Sequence, residues 1–65
     1  MTVNDEQPAM SVPEFCRRHG IGMTLYSKLK ELGKAPREMH LGRRILISSE
    51  AAAEWRRDRE QDRIE

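Results

Sequence analysis

Glycine interrupts this chain at four positions between residues 20 and 42, so the regular elements in that region must be short. Gly20 and Gly22 enclose a tight connector, Gly33 ends the segment after it, and Gly42 opens a turn. The 65 residues include one cysteine, so a single small core must form without an intramolecular disulfide. Such a chain is too short for most enzyme architectures, and we expect no enzymatic activity.

The segment 12–19 carries the signals of a first helix. Ser11 and Glu14 have the spacing of a capping box, in which serine accepts a hydrogen bond from a free amide of the first turn. Met10 and Phe15 occupy the two positions of a hydrophobic staple. Basic residues and a glycine follow, as is typical of a helix end.

A second helix is predicted from Met23 to Leu32. Leu25, Leu29 and Leu32 recur at spacings of four and three, which places them on one face, and we expect this stripe to face the core. Two short helices joined by about three residues that include glycine form the helix-turn-helix pattern.

Strand-forming residues on both sides of Gly42 and Arg43 predict a β-hairpin over 37–47 with a cationic tip. Ser48 or Ser49 then begins a third helix. The expected core side chains are Val12, Phe15, Ile21, Leu25, Leu29, Leu32, Ile45, Ile47 and Trp55.

The fold class expected is mainly α with a small β-hairpin. It is a single compact winged helix-turn-helix domain over residues 10–58, in the order helix, helix, hairpin, helix. Residues 1–9 are polar and without period, and we expect a disordered leader there. Residues 59–65 are expected to form a helical extension that frays.

Charge is segregated along the chain, although the net charge is only +1. Residues 10–47 carry eight basic side chains against three acids, whereas residues 1–9 carry two acids and no base. Residues 48–65 carry four arginines against six acids. A basic folded segment suggests a polyanionic partner, and the alternative is a solvated surface of mixed charge.

In a helix-turn-helix protein the second helix lies in the major groove, with its N-terminal residues at the base edges. We therefore expect base contacts from Met23, Thr24, Ser27 and Lys28. Contacts to the DNA backbone, including those from the hairpin wing, are expected from Arg17, Arg18, Tyr26, Lys30, Lys34, Arg37, Arg43 and Arg44. The alternative is an ordinary solvated helix beside a hairpin that arginine keeps from aggregating.

Cys16 and His19 lie three residues apart and could share a metal ion. A structural zinc site uses four ligands in paired spacings, and no second pair is present, so we expect neither a metal nor a cofactor. The sequence has no signal segment and no long apolar run, so we expect a cytoplasmic protein without membrane association.

The run from Met10 to Arg57 resembles the AlpA-type prophage regulators and phage excisionases, which are small winged helix-turn-helix proteins related to the MerR DNA-binding domain. The resemblance is carried, in order, by Ser11-Val12-Pro13-Glu14-Phe15, Gly20-Ile21, Leu29, Gly33-Lys34-Ala35-Pro36, Leu41-Gly42-Arg43-Arg44, Ile47 and Trp55. Gly22 and Met23 depart from the family, which has serine and often arginine there, and Ser27 stands at the usual tyrosine position.

The resemblance implies sequence-specific binding of duplex DNA in bacterial or prophage transcription regulation, as a monomer or a weak cooperative assembly on DNA. A recombinase or RNA polymerase would be a further partner. An excision factor that bends DNA for a recombinase is the alternative within this class. A protein-interaction module that uses the third helix is the alternative from another class.

Overall fold

The computed structural model describes residues 8–62, which form three helices and one three-stranded antiparallel sheet. The elements are β1 (Ala9–Ser11), α1 (Val12–His19), α2 (Met23–Glu31), β2 (Met39–Leu41), β3 (Arg44–Ser48) and α3 (Ser49–Gln61). The domain is of the small α+β type and mostly helical, and the predicted order helix, helix, hairpin, helix is confirmed. None of the described helices combines the length and the apolar character needed to cross a bilayer.

The strand β1 was not predicted from the sequence. β3 lies in the centre of the sheet, with β1 on one side and β2 on the other. Ala9 lies opposite Ser48, and the backbone amide of Ser49 donates to the carbonyl of Pro8 at 2.9 Å. The folded domain therefore begins earlier than predicted, since the leader was expected to extend through residue 9. The rest of that predicted leader, residues 1–7, lies outside the described residues.

The predicted bounds of α1 are confirmed. Ser11 caps the helix, because its Oγ accepts a hydrogen bond from the amide of Glu14 at 3.2 Å. Gly20 ends the helix with a φ of +67°, in the left-handed region that favours glycine. The Glu14 carboxylate does not turn back to the cap as a complete capping box requires, since it binds Arg17 and Arg18.

The orientation of α2 differs from the prediction. Leu29 is buried as expected, but Leu25 is 47% exposed and Leu32 is 55% exposed. Tyr26 takes their place in the core and is only 3% exposed. Its ring packs edge-on against Phe15, with the ring centroids 6.1 Å apart.

The chemistry of tyrosine accounts for this orientation. The phenol ring contributes a large apolar area to the core, and its hydroxyl needs a partner when it is buried. Glu38, which precedes β2, supplies that partner by accepting a hydrogen bond from the Tyr26 hydroxyl. The helix therefore buries the ring of Tyr26, and Leu25 and Leu32 remain at the surface.

The core lies between the sheet and the three helices. Its buried apolar side chains are Met10, Phe15, Cys16, Tyr26, Leu29, Ile47, Ala51 and Ala52. The predicted core positions Phe15, Leu29 and Ile47 are confirmed, while Val12, Ile21 and Trp55 are partly buried at its edge.

Ile45 is a further correction to the predicted core, because it is 39% exposed. It shares a face of β3 with Ile47, since alternate residues of a strand point the same way. β1 pairs only with residues 46–48, so Ile45 has a neighbouring strand, β2, on one side only.

The hairpin turns through Gly42 and Arg43, with Leu41 and Arg44 paired across its end. Gly42 has a φ of +62°, and no described residue other than glycine has a positive φ. A positive φ at the first loop residue alone is the pattern of a type II′ turn, in which glycine is favoured.

The third helix begins where the sequence predicts. Ser48 caps it by accepting a hydrogen bond from the amide of Ala51 at 3.0 Å. The small buried side chains of Ala51 and Ala52 let α3 approach the sheet. The helix continues to Gln61, and residues 63–65 of the predicted extension lie outside the described residues.

Candidate nucleic-acid interface

The outer surface of α2 displays the side chains that were predicted to read bases. Met23, Thr24, Ser27 and Lys28 are all exposed. Since each helical residue advances about 100°, a helix that buries Tyr26 and Leu29 directs Thr24 and Lys28 away from the core. Leu25 belongs to this outer surface too, although it was predicted to be buried.

The tip of the hairpin is cationic and exposed. Neither Arg43 nor Arg44 forms an ion pair with another residue between 8 and 62. Arg44 lines a shallow groove together with Arg18 and Glu14, so the structure brings basic residues of α1 and β3 together.

Arg17 and Arg18, predicted to contact phosphate, both bind the carboxylate of Glu14. The Nη2 atom of Arg17 lies 2.5 Å from Glu14 Oε2, and the Nε atom of Arg18 lies 2.7 Å from the same oxygen. These hydrogen bonds, that of Arg17 foremost, lower the pKa of Glu14 to about 2. Both arginines therefore already have an anionic partner within the domain.

Lys34 and Arg37 form ion pairs with acids in the C-terminal part of the chain that the structure describes, and Arg37 remains largely exposed in its pair. The Nζ atom of Lys34 lies 2.6 Å from Asp62 Oδ2, and the Nη2 atom of Arg37 lies 2.6 Å from Glu54 Oε1. The hydrogen bond from Lys34 lowers the pKa of Asp62. Both basic side chains were predicted to contact phosphate, and each forms an ion pair with a carboxylate of the same chain.

Glu38 connects α2 with the hairpin. Its side chain is 9% exposed and accepts the hydroxyl of Tyr26, while Lys30 Nζ lies 3.3 Å away and His40 Nε2 lies 3.5 Å away. The tyrosine hydrogen bond and the nearby lysine hold the pKa of Glu38 below its usual range. Burial, followed by the hydrogen bond to Glu38, raises the pKa of Tyr26.

Tyr26 was predicted to contact the DNA backbone, and that prediction is wrong. Its side chain is buried, so it cannot reach a ligand on the surface. Its hydrogen bond to Glu38 links α2 to the segment that leads into β2.

The sequence contains a signal for only part of this arrangement. Arg17 and Arg18 lie three and four residues after Glu14, the spacing at which helical side chains meet, so this cluster was visible in the sequence. Tyr26 and Glu38 are separated by twelve positions and a loop, and no local spacing indicates their contact.

Cys16 and His19, the metal pair considered above, have other partners. The Cys16 thiol lies 3.7 Å from Met23 Sδ, and burial raises its pKa. His19 Nδ1 lies 2.8 Å from the carbonyl oxygen of Phe15, and its Nε2 lies 3.1 Å from Arg56 Nη1. Across residues 8–62, no three histidine, cysteine or acidic side chains are grouped so that they could hold a metal ion.

We compared the chain with models of protein families, with curated proteins and with solved structures, and none of the three comparisons found a match.

Proposed function

We propose that this protein is a winged helix-turn-helix module that binds duplex DNA sequence-specifically in the control of transcription. In this proposal α2 lies in the major groove, and the hairpin of β2 and β3 lies on the backbone or in the minor groove. The resemblance to AlpA-type regulators points to the same function and to the same order of elements.

One observation carries the proposal. Of the eight basic side chains between residues 10 and 47, three have no carboxylate within 4 Å among residues 8–62. They are Lys28 on the outer face of α2 and Arg43 and Arg44 at the hairpin tip. The uncompensated positive charge of this basic segment thus lies on α2 and the hairpin tip, the two elements that meet DNA in this proposal.

The most exposed of the five paired bases, Arg17 and Arg37, remain available to DNA at small cost. Ion pairs at a protein surface contribute only about 0–1 kcal/mol, because water screens both charges. Arg17 is largely exposed in its pair with Glu14, and Arg37 is largely exposed in its pair with Glu54. A phosphate oxygen can replace either carboxylate when the duplex approaches.

The structure favours DNA over a protein partner on the third helix. Trp55 would be the natural anchor of such an interface, since tryptophan often dominates binding energy. Here its ring packs edge-on against Phe15, with centroids 5.1 Å apart, and its Nε1 donates to the carbonyl of Lys34 at 2.7 Å. Trp55 is therefore already engaged within the domain.

A pair of single-charge variants tests the proposal. Arg43→Ala should weaken binding to any duplex and reduce the slope of log affinity against log salt by about 1, as expected for one lost phosphate contact. Arg57→Ala is the matched control: it removes the same charge from an exposed position on α3 and should leave both quantities unchanged.

Fluorescence anisotropy with a labelled duplex at several salt concentrations measures both quantities. Equal losses for Arg43→Ala and Arg57→Ala would show that net charge alone drives the association. That result would contradict the assignment of the hairpin as a wing.

A further inference from the structure

We propose that Leu25 reads the C5 methyl group of a thymine in the major groove and so determines sequence preference at one position of the site. This inference rests on the proposed DNA binding and deepens it. It assigns a specific base chemistry to a side chain that the sequence had placed in the core.

The exposure of Leu25 is the first observation behind this inference. Burial of Tyr26 and Leu29 turns Leu25 outward and leaves about half of its side chain in water. An apolar side chain held at the surface of so small a domain gains free energy when a ligand covers it. Leu32 is similarly exposed and follows the last residue of α2 on the same side.

The position of Leu25 distinguishes it from Leu32. Leu25 lies in the first turn of α2, which starts at Met23. The N-terminal residues of a recognition helix are those that contact base edges. Leu32 is about two helical turns further along, so it lies far from the base edges in the same arrangement.

Lys28 indicates that the partner of this surface is a polyanion. Lys28 is three residues after Leu25 and four before Leu32, so it neighbours both leucines on the helix surface. It has no carboxylate partner among residues 8–62. An unpaired cation beside an apolar side chain suits a duplex better than an apolar protein surface, which would bury that charge unpaired.

The chemistry of the major groove then selects the base. Thymine is the base that presents an apolar group there, and lysine pairs with the O6 and N7 atoms of guanine. Leu25 and Lys28 are separated by about 4.5 Å along the helix axis, which is close to one base step of about 3.4 Å. The two side chains therefore fit a thymine and a guanine at neighbouring base pairs.

The experiment begins with the full chain and a library of random duplexes, from which the preferred site is selected. Each thymine of that site is then replaced by deoxyuridine, which lacks only the C5 methyl group. At one position, next to a G·C pair, this replacement should weaken binding about fourfold, the value of one buried methyl group.

Two leucine variants assign that effect to a side chain. Leu25→Ala should bind the thymine and deoxyuridine duplexes equally. Leu32→Ala is the matched control, with the same residue change at a similarly exposed position, and should keep the fourfold ratio. Circular dichroism establishes that both variants are folded.

The outcomes separate this inference from the proposed function. A library from which no duplex is selected overturns both. A selected site whose methyl sensitivity persists in Leu25→Ala, or is lost in Leu32→Ala, overturns the inference and leaves DNA binding intact. If Leu25→Ala changes only the sedimenting mass of the protein, the exposed leucines form a protein contact and the inference is wrong.

Discussion

Glu38 shows how a single side chain connects two elements of this protein. It accepts the hydroxyl of Tyr26 from α2, and it lies within reach of Lys30 on the same helix and His40 on β2. A carboxylate that is mostly buried requires such partners, because an unpaired buried charge is strongly destabilising. The same contacts that stabilise the ionised Glu38 fix the rotation of α2.

The shifted pKa values of three carboxyl groups indicate how the free energy of unfolding depends on pH. The pKa values of Glu38, Glu14 and Asp62 are lowered in the folded protein, by the hydrogen bonds of Tyr26, Arg17 and Lys34 respectively. Their contribution is present above the unfolded pKa of about 4 and is lost as pH falls through the folded values. The pKa of Tyr26 is raised, so Tyr26 affects stability at alkaline pH. Its contribution to the free energy of unfolding is present below about pH 10 and is lost as pH rises through the folded pKa.

Burial raises the pKa of the Cys16 thiol too, so its contribution is lost as pH rises above its unfolded value of about 8.5. We therefore expect the free energy of unfolding to be highest between about pH 5 and pH 8. Urea denaturation at a series of pH values measures it. Glu38→Gln should show a shallower loss at acid pH, with the remainder due to Glu14 and Asp62. An acid limb as steep as that of the wild type would show that Glu38 does not contribute.

Trp55 gives a second prediction at the residue scale. Its indole packs edge-on against Phe15 and His19 and donates a hydrogen bond to the carbonyl of Lys34. Trp55→Ala should reduce the free energy of unfolding by about 3 kcal/mol, a large share of the stability of a small domain. Thermal denaturation followed by circular dichroism measures this loss, and Arg57→Ala is the exposed control on the same helix. A Trp55→Ala protein with wild-type helicity and melting temperature would contradict the packing described here.

At the scale of elements, helix bounds were predictable and helix rotation was not. The caps of α1 and α3 are local signals, and the serines at 11 and 48 form them as expected. For α2 the sequence offers two stripes that share Leu29: one through Leu25, and one through Tyr26. The choice depends on Glu38, which is distant in sequence, so periodicity alone favoured the wrong stripe.

The strand β1 was not predicted, because it too depends on a contact between residues distant in sequence. Its three residues are too few for an alternating pattern, and its pairing with β3 is long-range. The hairpin was predictable because Gly42 defines its turn locally. Of the candidate site, the exposed residues of α2 and the hairpin tip could be named from the sequence, whereas the carboxylate partners of Lys34 and Arg37 could not.

The three leucines of α2 test its rotation. Leu29→Ala should reduce the free energy of unfolding by about 2–4 kcal/mol, because it removes a buried side chain. Leu25→Ala and Leu32→Ala should each change it by about 0.5 kcal/mol or less, as is usual for surface positions. Chemical denaturation of the three variants gives these values. Similar losses at all three positions would show that the leucine stripe faces the core after all.

At the scale of the whole molecule, folding partly cancels the charge segregation of the sequence. Two acids of the C-terminal part of the described chain pair with the basic segment: Glu54 pairs with Arg37, and Asp62 pairs with Lys34. This happens because α3 packs against the loop after α2, where Trp55 and Arg59 both donate to the carbonyl of Lys34. The positive charge that remains uncompensated in residues 10–47 lies on α2 and the hairpin tip.

The salt dependence of duplex binding tests this account most directly. The two unpaired arginines of the hairpin tip, joined by one or two arginines that exchange a carboxylate for phosphate, predict a slope of log affinity against log salt between about −3 and −4. A titration of the wild-type protein into labelled duplex between about 50 and 200 mM salt measures that slope, within the range where phosphate contacts dominate affinity. A slope in the predicted range supports the assignment of α2 and the hairpin as a DNA interface. Binding that is undetectable at the lowest salt, or that does not change with salt, would contradict it.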